Sequence, residues 1–259
     1  MKQFLYFFIS LILLGCEFNT ATTQNKTTTQ PQVASQSLED DLEIKRPRIQ
    51  LDSARYNVGL LIMDGTYNTE LTAPYDIFQH TIFRDSIKAM NVFTVANTLD
   101  PIRTFEGMYI LPDFDYTDAT VPNIDILVVP SAEHHLDSDL EDEQMISFVK
   151  KVAQQASYVT SHCDGAFVLA AAGLLDGKVA TTFPADIDRM RQEFPKVDVR
   201  KEVLFVHDGK YITSAGGAKS FEAALYLAEK LYGKTIAASL AKGLVIDWEV
   251  ENVPHLIVD

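Results

Sequence analysis

The chain has 259 residues, 47% of them hydrophobic and 22% charged, which is ordinary for a globular protein and excludes collagen-like, mucin-like and wholly disordered chains. Asp and Glu number 36 against 22 Lys and Arg, a net charge of −14, and the tightest basic cluster is Lys45-Arg46-Pro47-Arg48. A polyanion would be repelled, so nucleic acid and anionic lipid headgroups are excluded as electrostatic partners.

At the N-terminus Lys2 precedes an apolar run from Phe4 to Leu14. A short basic start and an apolar stretch of this length form the pattern of a signal peptide. The run falls short of the roughly 20 residues that span a bilayer. The run ends in Leu13-Leu14-Gly15-Cys16, which resembles the lipobox of bacterial lipoproteins. That resemblance implies cleavage after residue 15 and lipidation of Cys16. The domain would then sit outside the cytoplasm, held to a bacterial membrane only through lipid. The alternatives are an ordinary signal peptide or an N-terminal anchor with an incidental cysteine. If Cys16 is lipidated, Cys163 is left as a free thiol with no disulfide partner.

Residues 16–54 are rich in Thr and Gln, among them Thr22, Thr23, Thr27, Gln24, Gln30 and Gln32, with little apolar periodicity. Such a stretch buries too little surface to offset its ordering entropy and reads as a polar tether. The folded domain is expected over 55–250.

Within it, strand-like and helix-like segments alternate. Asn57–Met63 is a continuous apolar run, as in a strand covered on both faces. A helical pattern follows over Thr69–Phe83. Asn91–Ala96 and Ile124–Val129 read as further strands, the latter closed by Pro130. Ser138 and Glu141 form a capping-box pattern that predicts a helix start, with the helix running to Gln155. Ser157–Ser161 reads as the strand that leads into Cys163. A helix is expected over Gly165–Ala172. Val203–Val206 and Tyr211–Thr213, joined through His207-Asp208-Gly209, predict a hairpin. Two helices follow, at Phe221–Leu231 and Thr235–Leu240. This alternation predicts an α/β fold: a three-layer, flavodoxin-like sandwich on a mostly parallel sheet. In such sheets the site lies beyond the carboxyl ends of the strands, where Cys163 falls.

Tyr158-Val159-Thr160-Ser161-His162-Cys163-Asp164-Gly165-Ala166 reads as a strand, a sharp elbow and an Ala-rich helix. A thiol at a nucleophile elbow meets the positive end of a helix, so its pKa is expected to fall below about 8.5. The alternative is a small buried hydrophobe. The stretch Ser161–Thr182, with Asp64–Phe78 and Val206–Gly217, resembles the DJ-1/PfpI superfamily, with its class I glutamine amidotransferase-like fold. The branch it is most similar to holds isonitrile hydratases and one half of AraC-type regulators. The resemblance covers about residues 56–245.

The resemblance implies an enzyme that uses Cys163 as nucleophile for hydrolysis or hydration of a small electrophile. Glu70 matches the family's acidic residue beside the sulfur; read without the family, it is an acid in the first turn of a helix. The backbone N–H of Asp164 would receive developing negative charge. A second donor would come from the loop after Pro130, at Ala132, where the family usually has Gly-Gly and this chain has Ser131-Ala132. The histidines of the family are missing: Phe183 and Asp164 stand where relatives carry them. No late His-x-Glu, as a glutaminase needs, is present. His134 and His135 follow Pro130 and are candidate auxiliary bases, or else solvated loop residues. Strand alternation turns His162 away from the cysteine, while His207 reads as a turn residue and His80 as helix surface. Asp115, Asp118, Glu133, His134 and His135 match no standard ligand spacing, so no metal is expected. Without a glycine-rich phosphate loop, no nucleotide cofactor is expected either.

The competing class is a non-catalytic module on the same fold, sensing redox state through the thiol or binding a small ligand. A DNA-binding regulator is disfavoured, because about 20 residues after the last family-like helix leave no room for a helix-turn-helix. The family also implies a possible homodimer.

Overall fold

The structure, a computed structural model, describes residues 49–258. The segments read as signal peptide and Cys16, and most of the tether, lie outside the described residues. The end of the predicted tether does not behave as one: Ile49 and Leu51 pack against the core, and Asn91 Nδ2 donates to the Asp52 carbonyl at 2.9 Å.

The elements in chain order are β1 (Tyr56–Leu61), α1 (Asn68–Gln79), β2 (Met90–Ala96), β3 (Ile102–Arg103), β4 (Tyr109–Ile110), β5 (Phe114–Asp115), β6 (Ile126–Val129), α2 (Glu143–Gln155), β7 (Tyr158–His162), α3 (Gly165–Ala171), β8 (Val179–Ala180), α4 (Ile187–Glu193), β9 (Asp198–Val199), β10 (Phe205–Asp208), β11 (Tyr211–Ser214), α5 (Ser220–Tyr232), α6 (Lys234–Gly243) and β12 (His255–Val258). Among the described residues, eight strands form one sheet in the order β12-β10-β11-β7-β6-β1-β2-β5. All neighbours are parallel except the β10–β11 hairpin. β12 extends the sheet past the expected domain end at 250.

The central strand β6 is apolar and buried at every position because both faces are covered. Ile126 and Val128 of β6 join one core with Leu225, Leu227 and Leu240. Leu127 and Val129 join the other with Val149, Phe167 and Leu169. Helices α1, α5 and α6 therefore lie on one side and α2, α3 and α4 on the other, the predicted three layers.

Two local readings change. The helix expected from Ser138 instead begins at Glu143, after a short tight turn at Ser138–Glu141. Asp142 is its cap, accepting from the backbone N–H groups of Gln144 and Met145 at 2.9 and 3.0 Å. His207 is no turn residue. It lies in β10, 5% exposed, with Nδ1 2.7 Å from the Tyr226 hydroxyl.

Candidate active site

Cys163 sits between the end of β7 and the start of α3 with φ +51°. A side-chain-bearing residue reaches that left-handed region only against a penalty of about 1–3 kcal/mol, which the surroundings must hold. They do so at both ends. The Cys163 N–H donates to the Ser214 carbonyl at 2.9 Å. Its carbonyl accepts from the Ala166 N–H, and Thr182 Oγ1 lies 3.0 Å from it. Two glycines make the elbow possible. A Cβ on Gly216 would lie 2.3 Å from the Cys163 Cβ, and one on Gly165 would lie 2.1 Å from the Val129 carbonyl oxygen. The thiol is thus presented at the carboxyl ends of the strands yet is only 7% exposed.

Glu70, in the first turn of α1, is 4% exposed and brought under the sulfur. Its Oε2 accepts from the Ser131 N–H and its Oε1 from the Gly217 N–H, both at 3.0 Å. It also hydrogen-bonds the Cys163 thiol. One carboxyl group thus ties together the loop after β6, the loop after β11 and the nucleophile. Burial raises its pKa above the usual carboxylate range, against the two backbone donors.

The side chain of Asp164 is the residue that sequence reasoning missed. Asp164 was singled out for its backbone N–H, which does face the sulfur. Its carboxyl, however, is also at the site: Oδ2 lies 3.7 Å from Cys163 Sγ and Oδ1 3.0 Å from Thr182 Oγ1. Burial, then the nearby Asp186, pushes its pKa up to about 6. The single proton of Thr182 cannot serve both the Cys163 carbonyl and Asp164. A protonated Asp164 resolves this by donating to Thr182 and leaves Oδ2 to accept a hydrogen bond from the thiol; the ionised carboxylate is the form that can take the thiol proton. The signal in the sequence was the acid itself, standing where a histidine base was expected.

The expected low thiol pKa is corrected. Burial and the adjacent Glu70 and Asp164 carboxylates push Cys163 strongly toward the protonated form, and the Asp164 N–H only partly offsets them. Three buried acids share one pocket, which therefore favours a thiol with a nearby proton acceptor over a standing thiolate.

The loop after Pro130 behaves differently from expectation. The Ala132 N–H is not a free donor. It lies 3.2 Å from His135 Nδ1, and Thr66 pairs with Ala132 in an isolated antiparallel bridge. His135 is 1% exposed, and burial lowers its pKa to about 3. With its acceptor lone pair taken by Ala132, the ring is a neutral structural group with its other nitrogen 3.3 Å from Met63 Sδ. His134 is exposed and pairs with Asp137 at 3.1 Å. Neither histidine hydrogen-bonds Cys163, Glu70 or Asp164. His162 is 1% exposed and bonds Ser214 Oγ at 2.9 Å, a packing role as alternation predicted.

Tyr67 was also missed as a site residue. Its ring stacks on Phe105 of the hairpin formed by β3 and β4, with centroids 4.5 Å apart. Burial, then the charges of Cys163, Glu70, Glu133 and Asp164, raises the pKa of its phenol. Phe183, next to Thr182, is 42% exposed. Among the described residues, no three His, Cys, Asp or Glu side chains come together as a metal ion would require.

A profile of the DJ-1/PfpI family matches residues 56–230. The isonitrile hydratase of Pseudomonas putida is 34% identical over 176 residues, which is 68% of this chain and 72% of that enzyme. The HTH-type transcriptional regulator CdhR of Pseudomonas aeruginosa is 33% identical over 102 residues, covering 39% of this chain and 30% of the regulator. The crystal structure of DJ-1beta from Drosophila melanogaster superposes with a TM-score of 0.65 at 21% identity, covering 75% of this chain and all of that one.

Proposed function

The chain belongs to the DJ-1/PfpI family, and from that premise we propose that it is a cysteine-dependent hydratase or hydrolase of a small electrophile, with Cys163 as nucleophile and the Asp164 and Glu70 carboxyls as its proton carriers. The observation that supports this most is the thiol held at positive φ between two buried acids, one 3.7 Å away and both with raised pKa. An acid titrating near 6 is matched to proton transfer at neutral pH.

In the proposed reaction the Cys163 proton passes to the Asp164 carboxylate as sulfur attacks the electrophilic carbon. On a carbonyl or nitrile the displaced bond pair, on oxygen or nitrogen, is met by the Asp164 N–H and takes a proton from Glu70 or Asp164; on an isonitrile the attacked carbon takes that proton. A water then gives a proton back to the carboxylate and adds to the same carbon. The C–S bond breaks and the thiol is restored. In hydrolysis the leaving group departs with the first proton. In hydration none departs. The net change is addition of one water, with no redox partner.

The alternative of a thiol redox sensor has less support. Oxidation needs thiolate character and exposure, and Cys163 is buried and pushed toward the thiol. The N-terminal pattern supports an exported protein, lipid-anchored to a bacterial membrane, carrying this activity outside the cytoplasm.

The test is a turnover screen of isonitriles, glyoxals, nitriles and small amides with wild type, Cys163→Ala and Asp164→Asn. The expected result is turnover of one class by wild type and loss of it in Cys163→Ala. Turnover that survives Cys163→Ala overturns the proposal.

A further inference from the structure

The charges that weigh most on the reacting groups are all acidic. Glu70 and Asp164 act on Cys163. Glu106 acts on Glu70, and Asp186 on Asp164. Glu133 joins them in acting on the Tyr67 phenol. Glu106 and Glu133 are exposed acids held at the rim of the site. Glu106 Oε2 accepts from the Asn68 N–H at 3.0 Å, at the start of the helix that carries Glu70. The Glu133 N–H donates to the Gly65 carbonyl at 3.0 Å. Arg103, the cation on the same hairpin as Phe105, has its guanidinium beside Gly107.

The residues these two acids bond, Gly65 and Asn68, flank Tyr67, whose ring stacks on Phe105. Tyr67 leads into α1, three residues before Glu70, and its N–H donates to the Ser131 carbonyl at 3.0 Å. The Ser131 N–H in turn reaches Glu70. Phe105, stacked on Tyr67, is 46% exposed and fixed by its N–H to the Thr66 carbonyl at 3.1 Å. The hairpin is clamped further by Gly65 N–H to Arg103 O at 2.8 Å and by Arg103 N–H to Asp64 Oδ1 at 2.7 Å. An exposed aromatic stack near carboxylates attracts a cation through both the ring quadrupole and the field.

We propose that the site at Cys163 takes electrophiles bearing a positive charge near the reacting carbon, an ammonium or quaternary ammonium group seated on the Tyr67–Phe105 stack, and turns away carboxylates and phosphates. This rests on the reading of Cys163 as a nucleophile. Across an effective dielectric of about 20, one carboxylate roughly 10 Å away changes the binding of a unit charge about tenfold. Several carboxylates of one sign make the discrimination larger, and screening by salt reduces it.

The test uses three methanethiosulfonates on the full-length chain, with ethyl-trimethylammonium, plain ethyl and ethyl-sulfonate groups. Rates are read by mass spectrometry on the peptide containing Cys163 and divided by the rates with 2-mercaptoethanol. The expected order is cationic over neutral over anionic, with at least about tenfold between the ends at low salt. The spread should shrink in Glu133→Gln and Glu106→Gln, and Tyr67→Leu should slow the cationic reagent selectively. Three equal normalised rates, or a neutral reagent that is fastest, overturn the charge selection while leaving the nucleophile intact. A Cys163 inert to all three reagents overturns the nucleophile reading, and the substrate inference with it.

Discussion

Asp164→Asn is expected to make the protein more stable and less active. The carboxyl is 8% exposed, and burial lifts its pKa from 3.8 to about 6. Between those values the folded chain holds a proton that the unfolded chain has released. Folded stability therefore falls as pH rises through this window. The full gap corresponds to about 3 kcal/mol of destabilisation at neutral pH. Asparagine has the same shape, can accept from Thr182 and can donate to sulfur, but carries no charge to bury. The variant should match wild type near pH 4 and exceed it by roughly 1–3 kcal/mol at pH 8. For a domain of about 200 residues that is a Tm higher by several degrees. Turnover should fall by about 10²–10⁴, the usual contribution of a positioned general acid–base. Urea unfolding of both proteins at pH 4, 6 and 8, with kcat for the substrate found by screening, reads both effects. A stability gap that does not widen from pH 4 to pH 8, or turnover unchanged in the variant, would refute the reasoning.

Three further outcomes follow from the same geometry. Gly216→Ala places a methyl 2.3 Å from the Cys163 Cβ at a residue with φ +79°, so it should cost about 3 kcal/mol or more and disturb thiol alkylation; a urea midpoint close to wild type would count against that elbow packing. His162 is held neutral, its pKa lowered to about 3 by burial, so its contribution to stability is complete above about pH 6.5 and is lost as pH falls, by up to about 1.4 kcal/mol per pH unit. His162→Asn should flatten that acid slope in urea titrations between pH 6 and 4, and an unchanged slope would show that other groups carry it. Cys16→Ser should move the protein from membrane to soluble or unprocessed fractions in a bacterial host, whereas persistence of a lipid-labelled mature form would dismiss Cys16 as the lipidation site.

The fold was legible because its determinants are local and repeated. Apolar runs such as Ile126–Val129 need a cover on both faces, and the alternation of strands with helices leaves few other topologies. The elbow was legible for the same reason, as a strand ending directly in Cys163 and Gly165. What could not be read was where side chains meet across distant loops. The use of Asp164 depends on Thr182, eighteen residues away, which anchors the carboxyl beside the sulfur. The state of the thiol depends on burial by chain segments distant in sequence, which sequence cannot sum. Helix-end reasoning, taken alone, gave the opposite direction. His135 looked like a loop histidine because its neighbours are polar, yet its ring is the acceptor for the Ala132 N–H inside the fold. The cap of α2 was misplaced by four residues because Ser138 and Asp142 both satisfy local capping rules and only packing chooses between them.

A buried thiol pushed toward its protonated form is a poor nucleophile at rest, and that has a use at a site lined with acids. Standing thiolate would be oxidised or alkylated by whatever small electrophile arrived. On the cationic-substrate proposal, proton transfer from sulfur to the Asp164 carboxylate is favoured when a substrate places positive or developing positive character beside it. Such character lowers the energy of the thiolate and of the neighbouring carboxylates together. Burial raises all three pKa values first, and the mutual charges add to it; a cationic substrate would relax that second part, so on this proposal one set of acids both quiets the thiol and selects what activates it. The coupling has a measurable consequence. A bound, unreactive quaternary ammonium ion should lower the apparent pKa of Cys163 toward neutrality and speed its alkylation by a small neutral reagent. An occupant that merely fills the site should slow that alkylation. Inhibition by the cation at every pH would separate the two roles and leave the acids as proton carriers only.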